Sequence, residues 1–341
     1  MITIKLSTPF PEWPLLRQTP SSSGIWGDCI FSLNQSIREC DFWVVYDDIL
    51  EPERIFCNQQ NTILITAEPP SIKKYSTKFL RQFSTVVSCH RNIAHPHVIY
   101  SQTALPWHVG RKCINHVNQS FTKDYDELKS IKAFNKNKLI SVICSNKDFT
   151  EGHKQRLNFV KQLSAYFGEK IDVYGRGIKE IEDKWDVIAE YKYHVVLENS
   201  SFPDYWTEKL SDSFLGGSYP FYYGCPNLAE YFPKDSFTLI DINDTNQSIA
   251  IIKNMILNQK YEYSLEAIQE ARDLILDKYN LFPTIAQIIS KFHSELDFTN
   301  KTIVSLKPEG NFNRAKNLLS FVKKIKNELD AYFSNQVLGN K

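Results

Sequence analysis

Short apolar runs alternate with polar, helix-compatible segments along most of this chain. ITIKL (2–6), DFWVVYD (41–47), NTILITAEPP (61–70), STVVSCH (84–90) and HVIYSQTALPW (97–107) are rich in β-branched and aromatic residues and read as strands. Between them, SIKKYSTKFLRQF (71–83) has the apolar spacing of a short helix. Residues 111–138 are polar and lysine-rich, and the pattern restarts at 139. LISVIC (139–144), KIDVYG (170–175) and KYHVVLEN (192–199) read as strands. HKQRLNFVKQLSAYF (153–167), DKWDVIAEY (183–191) and WTEKLSDSFL (206–215) read as helices. SYPFYYG, NLAEYF, FTLIDI and SIAIIKNMIL continue the alternation, followed by long helical stretches to residue 296. Two blocks of strand–helix alternation predict an α/β protein with two doubly wound, Rossmann-like domains facing a cleft. The boundaries fall at 1–115 for the N-terminal domain, 116–138 for a linker and 139–300 for the C-terminal domain, with a tail at 301–341.

The tail has its own period. In NRAKNLLSFVKKIKNELDAYF (313–333) the apolar residues form one stripe at helical spacing, and lysines lie mostly off it. Two readings stand: a terminal helix docked on the protein, or a basic amphipathic helix in peripheral contact with an anionic membrane.

Composition narrows the class. A chain of 341 residues suits two domains of ordinary size, and 42% hydrophobic with 23% charged residues describes a globular protein. The formal net charge of +1 supplies no global field for nucleic acid. Seven scattered cysteines without a C-x-x-C argue for free thiols in a reducing compartment. MITIKLSTPFPEW lacks the apolar core of a secretory signal, and no run approaches the ~18 apolar residues of a transmembrane helix. The expected location is the cytoplasm, or the inner face of the cytoplasmic membrane.

Candidate chemistry concentrates in YHVVLENSSFPDYWTEKLSDSFLGGSYPFYYG (193–224). If VVLEN is a strand, Glu198 and Asn199 stand at its carboxyl end, the usual ligand edge of an open α/β sheet. WTEKLSDSFL then begins a helix with Thr207 or Asp204 near its cap, and its first-turn amides suit a phosphate. Lys209 adds a full positive charge there, Glu208 can accept from ribose or sugar hydroxyls, and Gly216-Gly217 ends the helix. The composite is a nucleotide-diphosphate site with a carboxylate for hydroxyls.

The same residues carry a resemblance. YKYHVVLENS, DYWTEKLSD, YPFYYG and NLAEYFP resemble the donor-binding signature of the α-1,3/1,4-fucosyltransferases, glycosyltransferase family 10, over residues 190–245. The resemblance implies a GT-B-like fold, an inverting transfer of L-fucose from GDP-fucose to an acceptor glycan, and no metal or other cofactor. It implies an N-terminal acceptor-binding domain carrying the base, and a C-terminal donor-binding domain. Asn199, Tyr205, Glu208 and Lys209 match the donor-contacting positions, with Lys209 on the diphosphate. CSN followed by HKQRLNF resembles the family's S-N-x…R stretch and makes Arg156 the second phosphate-binding cation; Arg176 in DVYGRG is a reserve candidate. Glu68 in ILITAEPPS matches the catalytic base, a carboxylate that follows a strand in the N-terminal domain. The acceptor is expected in bacterial surface polysaccharide or glycolipid synthesis.

Competing signals are weaker. Asp124-Tyr125-Asp126 is a D-x-D triplet in the expected linker and reads as solvated charge. Cys89-His90 and His95-Pro96-His97 lack a second ligand pair at zinc spacing, so no metal site is expected. Trp107-His108 after a strand either line the cleft against an acceptor sugar or belong to the core. No G-x-S-x-G or P-loop motif is present. The alternatives are a relative using another nucleotide sugar and a non-catalytic sugar-binding protein; joint retention of Arg156, Glu208 and Lys209 favours the enzyme.

Overall fold

Every residue of the run FWVVY is buried, because a central strand of a parallel sheet is covered on both faces. That run organises the first of two parallel sheets in the computed structural model, which describes residues 1–114, 117–146, 151–292 and 300–312. The N-terminal sheet contains β1 (Ile2–Ser7), β2 (Ile25–Trp26), β3 (Cys29–Leu33), β4 (Phe42–Tyr46), β6 (Thr62–Ile65), β7 (Thr85–Ser88) and β8 (Val98–Tyr100). Their spatial order is β2-β3-β1-β4-β6-β7-β8, parallel except at the β2–β3 edge. A strand between β4 and β6, β5 (Glu53–Cys57), stands outside this sheet. The second sheet holds β11 (Lys138–Ile143), β12 (Ile171–Tyr174), β13 (Tyr191–Leu197), β14 (Tyr219–Tyr223) and β15 (Thr238–Leu239), all parallel in the order β12-β11-β13-β14-β15. The order in which strands are added reverses between β11 and β13, which places a topological switch point at their carboxyl ends. The fold class is therefore α/β with two Rossmann-like units, as the alternation predicts.

Several local expectations change. Of the helix expected at 71–83, only α1 (Thr77–Leu80) forms, capped by Ser76; residues 71–76 are loop. DKWDVIAEY makes one 3-10 turn, Lys184–Val187, because Asp183 caps the Trp185 amide and spends its second oxygen on Thr122. The expected linker is structured: β9 (Arg111–Ile114) and β10 (Val117–Phe121) form an antiparallel pair, and α2 (Tyr125–Ser130) follows. Asp124, read as solvated charge, closes a capping box with Glu127 at the start of α2. Residues 301–341 were expected to be helical, yet β16 (Thr302–Leu306) pairs antiparallel with β5. The amphipathic stretch 313–333 lies outside the described residues.

The domain boundaries also move. After α3 (Glu151–Phe167), α4 (Glu208–Leu215), α5 (Thr245–Leu257), α6 (Lys260–Tyr263) and α7 (Leu265–Asp277), helix α8 (Leu281–Phe292) leaves the second sheet. Its Leu281, Phe282, Ile285 and Ile289 pack in the core of the first, with Phe282 edge-on to Phe31 at 4.9 Å. In exchange, Trp107 and Val109 pack in the second domain's core beside Leu128, Leu210 and Phe214. Periodicity shows that a helix has an apolar face; which sheet receives that face is a tertiary matter.

Two stability predictions follow from this packing. Phe282→Ala empties a site between domains and should cost about 3–5 kcal/mol in chemical denaturation. His194, buried on β13 with Nδ1 2.7 Å from the Ser141 hydroxyl, has its pKa pushed down to about 3 by burial, helped by Lys184 and Lys136. The unfolded chain protonates this ring near 6.5 and the folded one does not. Its contribution is therefore complete above about pH 6.5 and falls below it, by up to about 1.4 kcal/mol per pH unit. Urea titrations at pH 7.5 and 5.5 should show that loss in the wild type, reduced in His194→Gln.

Candidate active site

Strand β13 ends at Leu197, and the next residue is a carboxylate with no exposed surface. Buried charge must find partners. Glu198 finds them in Thr207, whose backbone N–H donates to Oε1 at 2.8 Å and whose hydroxyl lies 2.9 and 2.8 Å from the two oxygens. Thr207 is also the N-cap of α4, its hydroxyl accepting from the Lys209 amide at 3.3 Å. Glu198 thus sets where α4 starts. Gly224 backs this brace, since a Cβ there would lie 2.5 Å from Glu198 Cγ. At the other end of α4, Gly217 takes φ +68 and permits the immediate turn into β14.

Lys209 sits in the first turn of α4 with Nζ 3.3 Å from Glu198 and 3.1 Å from Glu208. Burial opposes its charge, but the two carboxylates outweigh that and raise its pKa. Glu208 is held well below the ordinary carboxylate range: burial is overcome by Lys209, His108 and Lys184. Burial raises the pKa of Glu198 despite Lys209. Arg156, from α3, donates to Asn199 Oδ1 at 2.7 Å, while its Nε is buried with no hydrogen-bond partner among the described residues. The switch point therefore gathers Arg156, Asn199, Glu208 and Lys209.

Two adjoining cavities run along this edge and share Ile143 and Lys184. One, about 230 Å³, is bordered by Arg156, Asn199, Lys209 and His194. The other, about 200 Å³, is bordered by His108, Arg111, Arg176 and Glu180. Together they form a trough lined with cations, suited to an anionic ligand. A larger groove of about 990 Å³ follows α7 elsewhere on the C-terminal domain and contains none of the expected site residues.

Not every expected residue stands in the trough wall. Glu198 is enclosed and acts on Lys209 rather than on a ligand. Tyr205 is 2% exposed, and burial together with the negative charges of Glu198, Glu208 and Glu68 raises its pKa. Trp107 is a core residue, 2% exposed and stacked under Arg17, so it offers no face to an acceptor sugar. His108 borders the trough on the Arg176 side, and burial and Lys184 depress its pKa. The sequence reading missed Lys184 and Asp212. Fully buried Asp212 accepts from the His108 and Val109 amides at 2.7 and 2.9 Å and from Lys184 at 2.7 Å, joining α4 to the segment after β8. Its spacing of four from Glu208 on one helix was the available signal; Lys184 had none.

Across the cleft, Glu68 follows β6 in the N-terminal domain and retains an open surface. Desolvation by the surrounding walls raises its pKa, reinforced by Asp47 and Glu208 and opposed by Lys209. His90 contacts its backbone carbonyl at 2.6 Å. The loops around the two sites touch: Ser71 and Ser200 hydroxyls lie 2.5 Å apart, and Arg91 pairs with Asp204.

Comparison with known proteins bears on the same region. Residues 133–264 match the model of glycosyltransferase family 10 (fucosyltransferase), C-terminal. The bovine 4-galactosyl-N-acetylglucosaminide 3-alpha-L-fucosyltransferase 9 is 33% identical over 132 residues, covering 37% of this chain and 35% of the relative. An alpha-(1,3)-fucosyltransferase FucT of Helicobacter pylori is 28% identical over 95 residues, covering 26% of this chain and 20% of its own length. These matches span about a third or less of the curated relatives. A solved alpha1,3-fucosyltransferase with GDP-fucose aligns over 89% of this chain and 92% of its own, at 15% identity and a TM-score of 0.49. The family 10 resemblance first carried by residues 190–245 thus extends over residues 133–264, the stretch that matches the family's C-terminal model.

Proposed function

We propose that this protein transfers L-fucose from GDP-fucose to a hydroxyl of an acceptor glycan, with inversion at the sugar's C1. The observation that carries the reading is the cation cluster at the switch point: Lys209 fixed by Glu198 in the first turn of α4, beside Arg156 on Asn199, in the domain that matches family 10. In this reading the acceptor oxygen attacks C1 while the bond from C1 to the diphosphate oxygen breaks. GDP leaves with the electron pair. Lys209, Arg156 and the N-terminal amides of α4 stabilise the charge that grows on it. Glu68 takes the acceptor proton, and its raised pKa strengthens it as a base near neutral pH. Glu208, anionic beside Lys209, accepts from donor hydroxyls. The two cations and the helix terminus supply the positive charge that a metal would otherwise bring to the diphosphate, so we propose metal-independent turnover.

The names of the matched relatives support an α-1,3 linkage. The apolar stripe of 313–333, flanked by lysines, supports a lipid-linked acceptor at the inner face of a bacterial cytoplasmic membrane, within surface glycan synthesis.

GDP release from GDP-fucose against a panel of acceptor sugars tests this reading directly. Lys209→Ala should lower kcat at least ~100-fold, about 2.7 kcal/mol of barrier. Activity within threefold of wild type would remove Lys209 from the mechanism. Turnover should persist in excess EDTA; activity that stops there and returns with Mn²⁺ would refute metal independence. Glu68→Gln should bind GDP as the wild type does and transfer no fucose.

A further inference from the structure

The N-terminal sheet has a switch point of its own, between β1 and β4, and the residue at its carboxyl edge is Asp47. Three features set this residue apart. Asp47 is 7% exposed, and it adopts φ +69, a left-handed conformation that Asp and Asn tolerate better than most side chains. Its Oδ1 accepts two hydrogen bonds, from the Tyr75 hydroxyl at 2.5 Å and from Lys73 Nζ at 2.9 Å. Tyr75 in turn accepts from the backbone N–H of Ala67, the residue before Glu68, at 3.1 Å.

These bonds close a ring around the loop that carries Glu68. Ala67 is tied to Tyr75, Tyr75 to Asp47, and Asp47 to Lys73, all within the 67–75 turn and the end of β4. A second tie comes from the far end of the chain. Buried Glu309 accepts from the Ser76 amide at 3.0 Å and lies 3.7 Å from Lys73, while its own N–H donates to Asp48 at 3.0 Å. A core-building role alone would not require a carboxylate at position 47. A carboxylate there both anchors the loop and adds negative charge near Glu68.

Resting on the fucosyl-transfer reading in which Glu68 is the base, we propose that Asp47 is a positioning residue for it. Through Tyr75 and Lys73 it holds the 67–75 loop in the cleft and sets a like charge beside the Glu68 carboxylate. The charged and titratable groups that act on Glu68 are Tyr46 from β4 and Asp47 just after it, Lys73 from its own loop, Glu208 and Lys209 from α4, and Tyr205, with His90 on its backbone carbonyl. Of the anions among them, Glu208 belongs to the donor site, which leaves Asp47 as the one to alter without disturbing donor contacts. Glu68 works when deprotonated, and repulsion by Asp47 raises the pH at which that happens. Neutralising Asp47 should therefore extend activity to lower pH.

Asp47→Asn is the informative variant, because Asn accepts the same backbone conformation and keeps an oxygen for Tyr75. The full-length variant is assayed for fucose transfer, with kcat/KM followed from pH 5 to 9 and melting temperature as the folding control. We expect the acid limb to move down by about one pH unit, with the KM for GDP-fucose unchanged. Tyr75→Phe removes the tie without changing charge; it should lower kcat about tenfold and leave the limb in place. A profile for Asp47→Asn that superimposes on wild type overturns the proposal. If Asp47→Asn fails to fold, Tyr75→Phe decides alone: kcat equal to wild type overturns it. Glu68→Gln separates the two levels. Transfer retained by that variant removes the base role itself, whereas transfer abolished there with an unmoved Asp47→Asn profile overturns only the positioning role.

Discussion

A single buried carboxylate organises the C-terminal half of this protein. Glu198 has no exposure, so its charge must be met inside the fold or the strand end cannot stay where it is. Thr207 meets it with a backbone amide and a hydroxyl, and in doing so starts α4 at a defined residue. Lys209 meets it with a cation, and that cation is thereby held in the first turn at the ligand edge of the sheet. Sheet edge, helix start and positive charge are one arrangement, and removing the carboxylate would leave Lys209 without its main restraint apart from Glu208.

The two domains are tied by exchanged segments as well as by a shared cleft. Helix α8 completes the core of the N-terminal sheet, while Trp107 and Val109 complete that of the C-terminal domain. Buried Arg17 donates to the Trp107 and Lys123 carbonyls at 2.8 and 2.6 Å, bringing the first domain onto the connection. Asp212 anchors the same connection from α4. The spacing between Glu68 and the cation cluster therefore depends on core packing in both halves, and a change far from the cleft can alter it. In the proposed transfer, that spacing sets how the acceptor approaches the donor.

Electrostatics divide the cleft by role. On the C-terminal wall, cations dominate and Glu208 stays ionised beside Lys209 and Lys184. On the N-terminal wall, partial burial and the charges of Asp47 and Glu208 raise the proton affinity of Glu68. Two carboxylates on opposite walls are pushed in opposite directions by their surroundings, a pattern that suits one to hold hydroxyls and the other to accept a proton.

The sequence alone was enough for the class of fold and for the local unit that holds the polar residues after β13, for a physical reason. Strand–helix alternation reports burial with a period, and ENS…WTEKL places Glu198, Asn199, Glu208 and Lys209 within one strand–loop–helix unit whose geometry is local. Tertiary structure decided what depends on distant partners. It enclosed Glu198, buried Trp107 in the core, and brought Lys184 to Asp212 across 28 residues. It turned the expected linker into a hairpin and a capped helix, and it returned residues 302–306 to pair with 53–57. The loop of Glu68 is the clearest case. Its Pro-rich sequence marks a turn, but Asp47, Tyr75 and Glu309 reach it from separate parts of the chain, and hydrogen bonds between such residues leave no periodic trace in the sequence.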